Sequence, residues 1–330
     1  MTATGFPDLM TSADGRAVGT AADWAVRRRE IAATILPVEY GRLPAQPAAV
    51  RVEAVGQTES SRMPWFAGVN LRKYKVWAAM DGEDVTFVLS VWCPDGASAE
   101  GRPVLLEGDG CWSYLTDDVI RAVTARGWMV ASFNRCEVAR DDASSADSTL
   151  LKWAWAYQRA VDALLQAEVR VDPARIAVTG HSRGGKAALL AGATDGRIFA
   201  VGENCSGCGG AGPCRGVPEG AEDIAAITGK FPYWFAPGWG AWAGRESELP
   251  FDQHFLVALI APRKLLVRQA RADLWANPLA AADIVDAARP VWRLFGRDAD
   301  IAYSLREDGH DHRLDDYLAF LDFVEGKVRT

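Results

Sequence analysis

A chain of 330 residues, 49% apolar and 24% charged, is long enough to bury a large core and too apolar for a disordered protein. Its net charge of -7 and pI near 5.3 give no nucleic-acid footprint and no attraction to anionic membranes. Four histidines leave few candidates for a general base, and six scattered cysteines do not frame a disulfide miniprotein.

The start, "MTATGFPDLMTSADGRAVGT", lacks the basic flank and apolar run of a signal peptide, and no later window is apolar enough to span a bilayer. As written the chain reads as soluble and cytoplasmic; an extracellular or periplasmic site would need a leader outside it. From Asp23, "DWAVRRREIAATIL" has the spacing of an amphipathic helix, followed by proline-punctuated sequence. The stretches "AAVRVEAVGQTE", "LRKYKVWAAM" and "DVTFVLSVWCP" have strand composition and form an antiparallel lead-in.

After "GRPVLLEGDG" the rhythm changes. Residues 115–126 read as a helix, "GWMVASFN" as a strand, 149–166 as a long helix, "RIAVTG" as a buried strand, "RGGKAALLAGATD" as a helix and "RIFAVGEN" as a strand. Later come the strand "KLLVRQA", a helix from about 281 to 294, the strand "IAYSLRE" and a terminal helix in "DDYLAFLDFVEG". Strands alternating with helices predict an α/β fold, a mostly parallel sheet covered on both faces with right-handed crossovers. With no internal repeat and no long linker, residues 1–330 read as one domain.

"GHSRG", Gly180 to Gly184, places Ser182 between a strand and a helix in a G-x-S-x-G pattern. Small neighbours allow a sharp turn that lifts the hydroxyl above the sheet, facing the positive end of the following helix. A serine nucleophile needs a base, and the base a carboxylate. In an α/β-hydrolase arrangement the chain order is serine, acid, histidine. His181 points away by strand alternation and His254 precedes the last two strands, which leaves His310 and His312. His310, after a glycine in a loop able to bend toward Ser182, is the candidate base, with His312 as its alternative. Asp273, directly after the penultimate core strand, is the candidate acid; Glu203 is its rival, with Asp308, Asp311 and Asp315 behind them.

"GHSRGGK" resembles the G-C-S-R-x-G-K box of glucuronoyl esterases, carbohydrate esterase family 15, which cleave esters between 4-O-methylglucuronic acid of xylan and lignin alcohols. "DWAVRRREI", "CSGCGGAGPCRG", "FPYWF", "LPFDQHFLVALIAPR", "DLWANP" and "GHDH" resemble the same family in the expected order, from about residue 23 to 322. The resemblance implies Ser182 as nucleophile, His310 as base and Arg183 as an oxyanion stabiliser. It further implies Lys186 on the glucuronate hydroxyls, Trp275 lining the sugar site, and His254 as a supporting residue near the substrate; Trp234 and Glu203 are further candidates for the substrate side. No metal or organic cofactor is implied, and the partner is a uronic-acid ester or a glucuronoxylan–lignin fragment met by a monomer. Four residues beyond Ser182, Lys186 falls on roughly the same helical face.

Three positions depart from the fungal pattern. Cys205 stands where the fungal acid is a glutamate before S-G-x-G-G, which favours Asp273 as the acid. His181 and Asp311 replace the two cysteines whose disulfide joins the nucleophile and histidine loops. Cys205, Cys208 and Cys214 have no histidine nearby to complete a zinc set and read as buried thiols or as partners in a disulfide. Two competing readings remain at this point: an acetyl or small-acyl esterase on the same fold, and a carbohydrate-binding protein that has lost part of its triad.

Overall fold

Along the strand Arg102–Glu107 the side chains alternate between two apolar layers: Val104 and Leu106 enter a large cluster on one face, and Leu105 a smaller one on the other. A strand buried on both faces needs helices above and below it. The computed structural model describes residues 5–59, 64–96, 98, 100–145 and 148–327.

Among the described residues nine strands form one sheet. They are β1 (Val50–Thr58), β2 (Val69–Met80), β3 (Glu83–Pro94), β4 (Arg102–Glu107) and β5 (Met129–Phe133). The remaining four are β6 (Val171–His181), β7 (Ile198–Asn204), β8 (Lys264–Ala270) and β9 (Ile301–Arg306). Their order is β1-β2-β3-β5-β4-β6-β7-β8-β9. The first three pair antiparallel and β3 joins β5 antiparallel; from β5 onward every pairing is parallel. The expected antiparallel lead-in and parallel body are both present. At the β2–β3 turn Asp81 and Gly82 both have positive φ, as a two-residue hairpin requires.

The larger layer holds α1 (Ala21–Ile35), α3 (Thr149–Gln166), α4 (Arg183–Thr194), α5 (Ile224–Lys230), α6 (Gln253–Ala258) and α7 (Pro278–Leu294). The opposite layer holds α2 (Asp117–Ala125) and α8 (Leu314–Val324), which supply Val119, Val123, Tyr317 and Phe320. Helix α1 starts slightly before the expected Asp23 because Thr20 and Asp23 form a capping box. Helix α7 starts before residue 281, with Pro278 at its first turn, where the missing N–H costs nothing.

All six cysteines are free thiols; Cys205, Cys208 and Cys214 are buried, and Cys214 Sγ accepts a hydrogen bond from Gln253 Nε2 at 3.4 Å. Among the described residues no helix is long and apolar enough to cross a membrane.

Candidate active site

Strand β6 ends at His181 and α4 begins at Arg183, so Ser182 alone makes the turn, with φ 56° and ψ -121°. A serine pays strain energy for this conformation, which persists because the surroundings over-determine it. A Cβ on Gly180 would run into the Gly184 carbonyl, and one on Gly184 into the Asp109 carboxylate. The two glycines are therefore required by close approach. Asp109, buried and paired with Arg135, also accepts the His181 backbone N–H at 2.8 Å, which anchors the strand end.

His310 comes from the loop after β9 and Asp273 from the turn after β8. His310 Nδ1 and Asp273 Oδ2 are 2.6 Å apart. The carboxylate is buried, while the imidazole is 41% exposed, so one ring edge is held from below and the other is open. The His310 ring lies 4.4 Å, centroid to centroid, from that of His181, the residue preceding Ser182. This contact brings the loop of residue 310 to the serine turn.

His312 faces inward. It is buried and stacked on Tyr317 at 4.2 Å, and burial holds its pKa well below the usual imidazole value. Its place in this packed stack argues against the alternative of His312 as base. His181 is likewise depressed to about 4, by burial first and then by the neighbouring His310. Its Nδ1 meets Asn204 Oδ1 at 2.6 Å.

Glu203 is engaged elsewhere. Its Oε1 accepts the Ser206 N–H at 2.5 Å, and Gln269 Nε2 donates to both of its oxygens at 3.0 and 3.1 Å. Burial raises it to about 7 against those hydrogen bonds. The expected rival acid thus braces the loop after β7, and it is neither His310's partner nor an open pocket wall. Asp308 pairs with Arg306 and Arg313. Cys205 lies beside the pair: its Sγ, a carboxylate oxygen of Asp273 and a ring nitrogen of His310 are all within 4.8 Å of one another.

Across the turn, Lys186 is buried, its ammonium 3.1 Å from Glu222 Oε2 and also donating to the Ser206 carbonyl. Trp275 Nε1 donates to the other Glu222 oxygen at 3.0 Å, and its ring is 43% exposed. Glu222 therefore links the two residues expected on the sugar side. Sequence reasoning missed it; the one available signal was that a buried ammonium needs a carboxylate.

Arg183 donates to Asp141 Oδ2 at 2.5 Å, and its guanidinium lies 4.9–5.2 Å from the rings of Trp112, Phe231 and Trp234. Part of the charge expected for an oxyanion is thus answered by Asp141, and the cage fixes the remainder beside the turn. Trp234, expected on the substrate side, is only 2% exposed, stacks on Phe231 at 3.9 Å and donates its indole N–H to Asp141 at 2.9 Å. It acts as the back of the Arg183 cage. His254 has a supporting place away from the substrate side: buried at the start of α6, it meets the Pro7 carbonyl at 3.0 Å and stacks on Phe6, so it ties down the N-terminal segment. Trp112, half-exposed and not singled out in the sequence, borders the site.

A family model described as glucuronyl esterase, fungi, matches residues 76–296. The 4-O-methyl-glucuronoyl methylesterase of Schizophyllum commune is 30% identical, over 93% of this chain and 77% of that protein. The protein of the same description from Podospora anserina is 29% identical over 92% of this chain, which spans 63% of that protein's length. A solved glucuronoyl esterase from Solibacter usitatus is similar with a TM-score of 0.86 at 25% identity, covering 98% of this chain and 97% of that one.

Proposed function

The chain belongs to the glucuronyl esterase family, and from that membership we propose that it hydrolyses esters of 4-O-methylglucuronic acid through an acyl-enzyme on Ser182. The observation that carries this reading is the 2.6 Å contact between His310 and Asp273, made by a loop that touches the residue before Ser182. With Nδ1–H given to Asp273, the Nε2 lone pair of His310 is free to take the serine proton.

Ser182 Oγ attacks the C6 carbonyl of the uronate ester. Negative charge develops at the start of α4, where the first backbone N–H groups lack intrahelical partners and the caged Arg183 guanidinium adds positive charge. His310 passes its proton to the departing alcohol; it then takes one from a water whose oxygen attacks the acyl carbon, and returns it to Ser182 Oγ as the acyl–oxygen bond breaks and the acid leaves. Lys186 and Glu222 offer a donor and an acceptor for sugar hydroxyls, and the exposed face of Trp275 offers an apolar platform for the ring.

The reading is tested by comparing the benzyl ester of glucuronic acid with 4-nitrophenyl acetate. Preferred turnover of the uronate ester, abolished by Ser182→Ala, is expected. Preferred acetate release would make the protein a small-acyl esterase, and uronate binding without turnover would make it a carbohydrate-binding protein.

A further inference from the structure

The proposed mechanism leaves Cys205 without a task. Its Sγ lies within 4.8 Å of both a carboxylate oxygen of Asp273 and a ring nitrogen of His310. A thiolate, a carboxylate and an imidazole are the donors that bind zinc-like cations, and three protein ligands with one open position make a complete site.

Two of the three side chains are held rigidly. Cys205 and Asp273 are buried, and the Cys205 backbone N–H is fixed to the Arg268 carbonyl at 3.0 Å. His310, 41% exposed, leaves an entry path and room for a water ligand. The two negative ligands balance a divalent charge. Burial, with Glu203 and Asp273 nearby, pushes the Cys205 thiol up, and Arg306, whose Nη2 stands 3.9 Å from Cys205 Sγ, counters only part of that, so a cation arriving here meets a protonated thiol.

We infer that Cys205, Asp273 and His310 form a site for a thiophilic divalent cation, Zn2+ or Cd2+, that switches the active site off. The cation displaces the thiol proton to solvent and takes Nδ1 of His310 from Asp273. The Nδ1 proton leaves to solvent and Nε2 takes one from solvent, so the ring stays neutral with its N–H at Nε2 and no lone pair remains to accept the Ser182 proton. The inhibition rests on the proposed esterase reading; the binding does not.

Cd2+ titrated into the Ser182→Ala protein reads the site by thiolate-to-metal absorption in the ultraviolet, with Cys205→Ser and Cys205→Ala added in that background. Either added substitution is expected to remove one thiolate's share of the band. Each is also expected to weaken binding beyond the roughly 10–100-fold that loss of a ligand's supporting partner costs. In the active protein, Zn2+ inhibition of benzyl glucuronate hydrolysis is expected to weaken equally in Cys205→Ser, with metal-free turnover preserved as the check on folding. An unchanged band and an unchanged inhibition midpoint in Cys205→Ser would overturn the site. Should uronate esters not be substrates at all, the Cd2+ titration still decides it.

Discussion

His310 and Asp273, 37 positions apart in the chain, meet at 2.6 Å through Nδ1 and Oδ2, the carboxylate buried and the imidazole open on its far edge. That contact fixes which imidazole nitrogen carries the proton. Asp273→Asn keeps the shape but presents an amide that supports the wrong tautomer, and a fall in kcat of about 10^4-fold with little change in KM is expected. Because Cys205 borders the same pair, Cys205→Glu in the Asp273→Asn background is expected to recover part of that loss by returning a carboxylate to the imidazole. Steady-state kinetics on benzyl glucuronate measures both.

Trp275→Ala tests the sugar platform at small structural cost, since the ring is already half-exposed. Loss of one stacking face and of the indole N–H to Glu222 is expected to raise KM for the uronate ester about tenfold, equivalent to about 1.4 kcal/mol. Turnover of 4-nitrophenyl acetate, which has no ring to stack, should stay within about twofold. A parallel loss on both substrates would assign Trp275 a structural role instead.

Strain at Ser182 predicts a gain in stability when function is removed. With φ at 56° and ψ at -121°, Ser182→Gly is expected to stabilise the fold by about 0.5–1 kcal/mol while abolishing hydrolysis. Chemical denaturation of the two proteins side by side checks this. A less stable glycine variant would mean that the serine side chain contributes more than the turn costs.

Glu203 predicts a pH dependence of stability. Its folded pKa, about 7, lies above the ordinary 4.5, so the protonated form is favoured by folding. The contribution is fully present below about pH 4.5 and is lost as pH rises through 7. Glu203→Gln removes that loss, and its amide can meet the otherwise unpartnered Gln269 Oε1 once the Gln269 amide turns over. The variant is expected to match the parent at pH 5 and to exceed it by on the order of 1–3 kcal/mol at pH 8, measured by urea unfolding. Equal differences at both pH values would contradict this origin.

Much of the architecture was legible because the strands write it locally. The apolar run of "RIAVTG", the helical spacing over 149–166 and the glycines around Ser182 each reflect a constraint acting over a few residues. Chain order placed Asp273 and His310 at the ends of neighbouring strands, and the β8–β9 pairing brings those ends together. Glu222 was not legible, because its value lies in reaching Lys186 and Trp275 across separations of 36 and 53 residues. The "FPYWF" segment reads the same whether Trp234 faces a ligand or backs the Arg183 cage; only the stacking on Phe231 decides. What His254 supports was hidden for a related reason, since Pro7, whose carbonyl it meets, lies 247 positions away in the chain.

The most direct test of the Ser182–His310–Asp273 unit is a double-mutant cycle on benzyl glucuronate with Ser182→Ala, Asp273→Asn and the pair combined. Residues that act as one catalytic unit are strongly non-additive. Ser182→Ala alone should remove at least about 10^4-fold of kcat, and adding Asp273→Asn should cost nothing further. Multiplying losses, or a Ser182→Ala protein that still turns over at the parent rate, would contradict the unit.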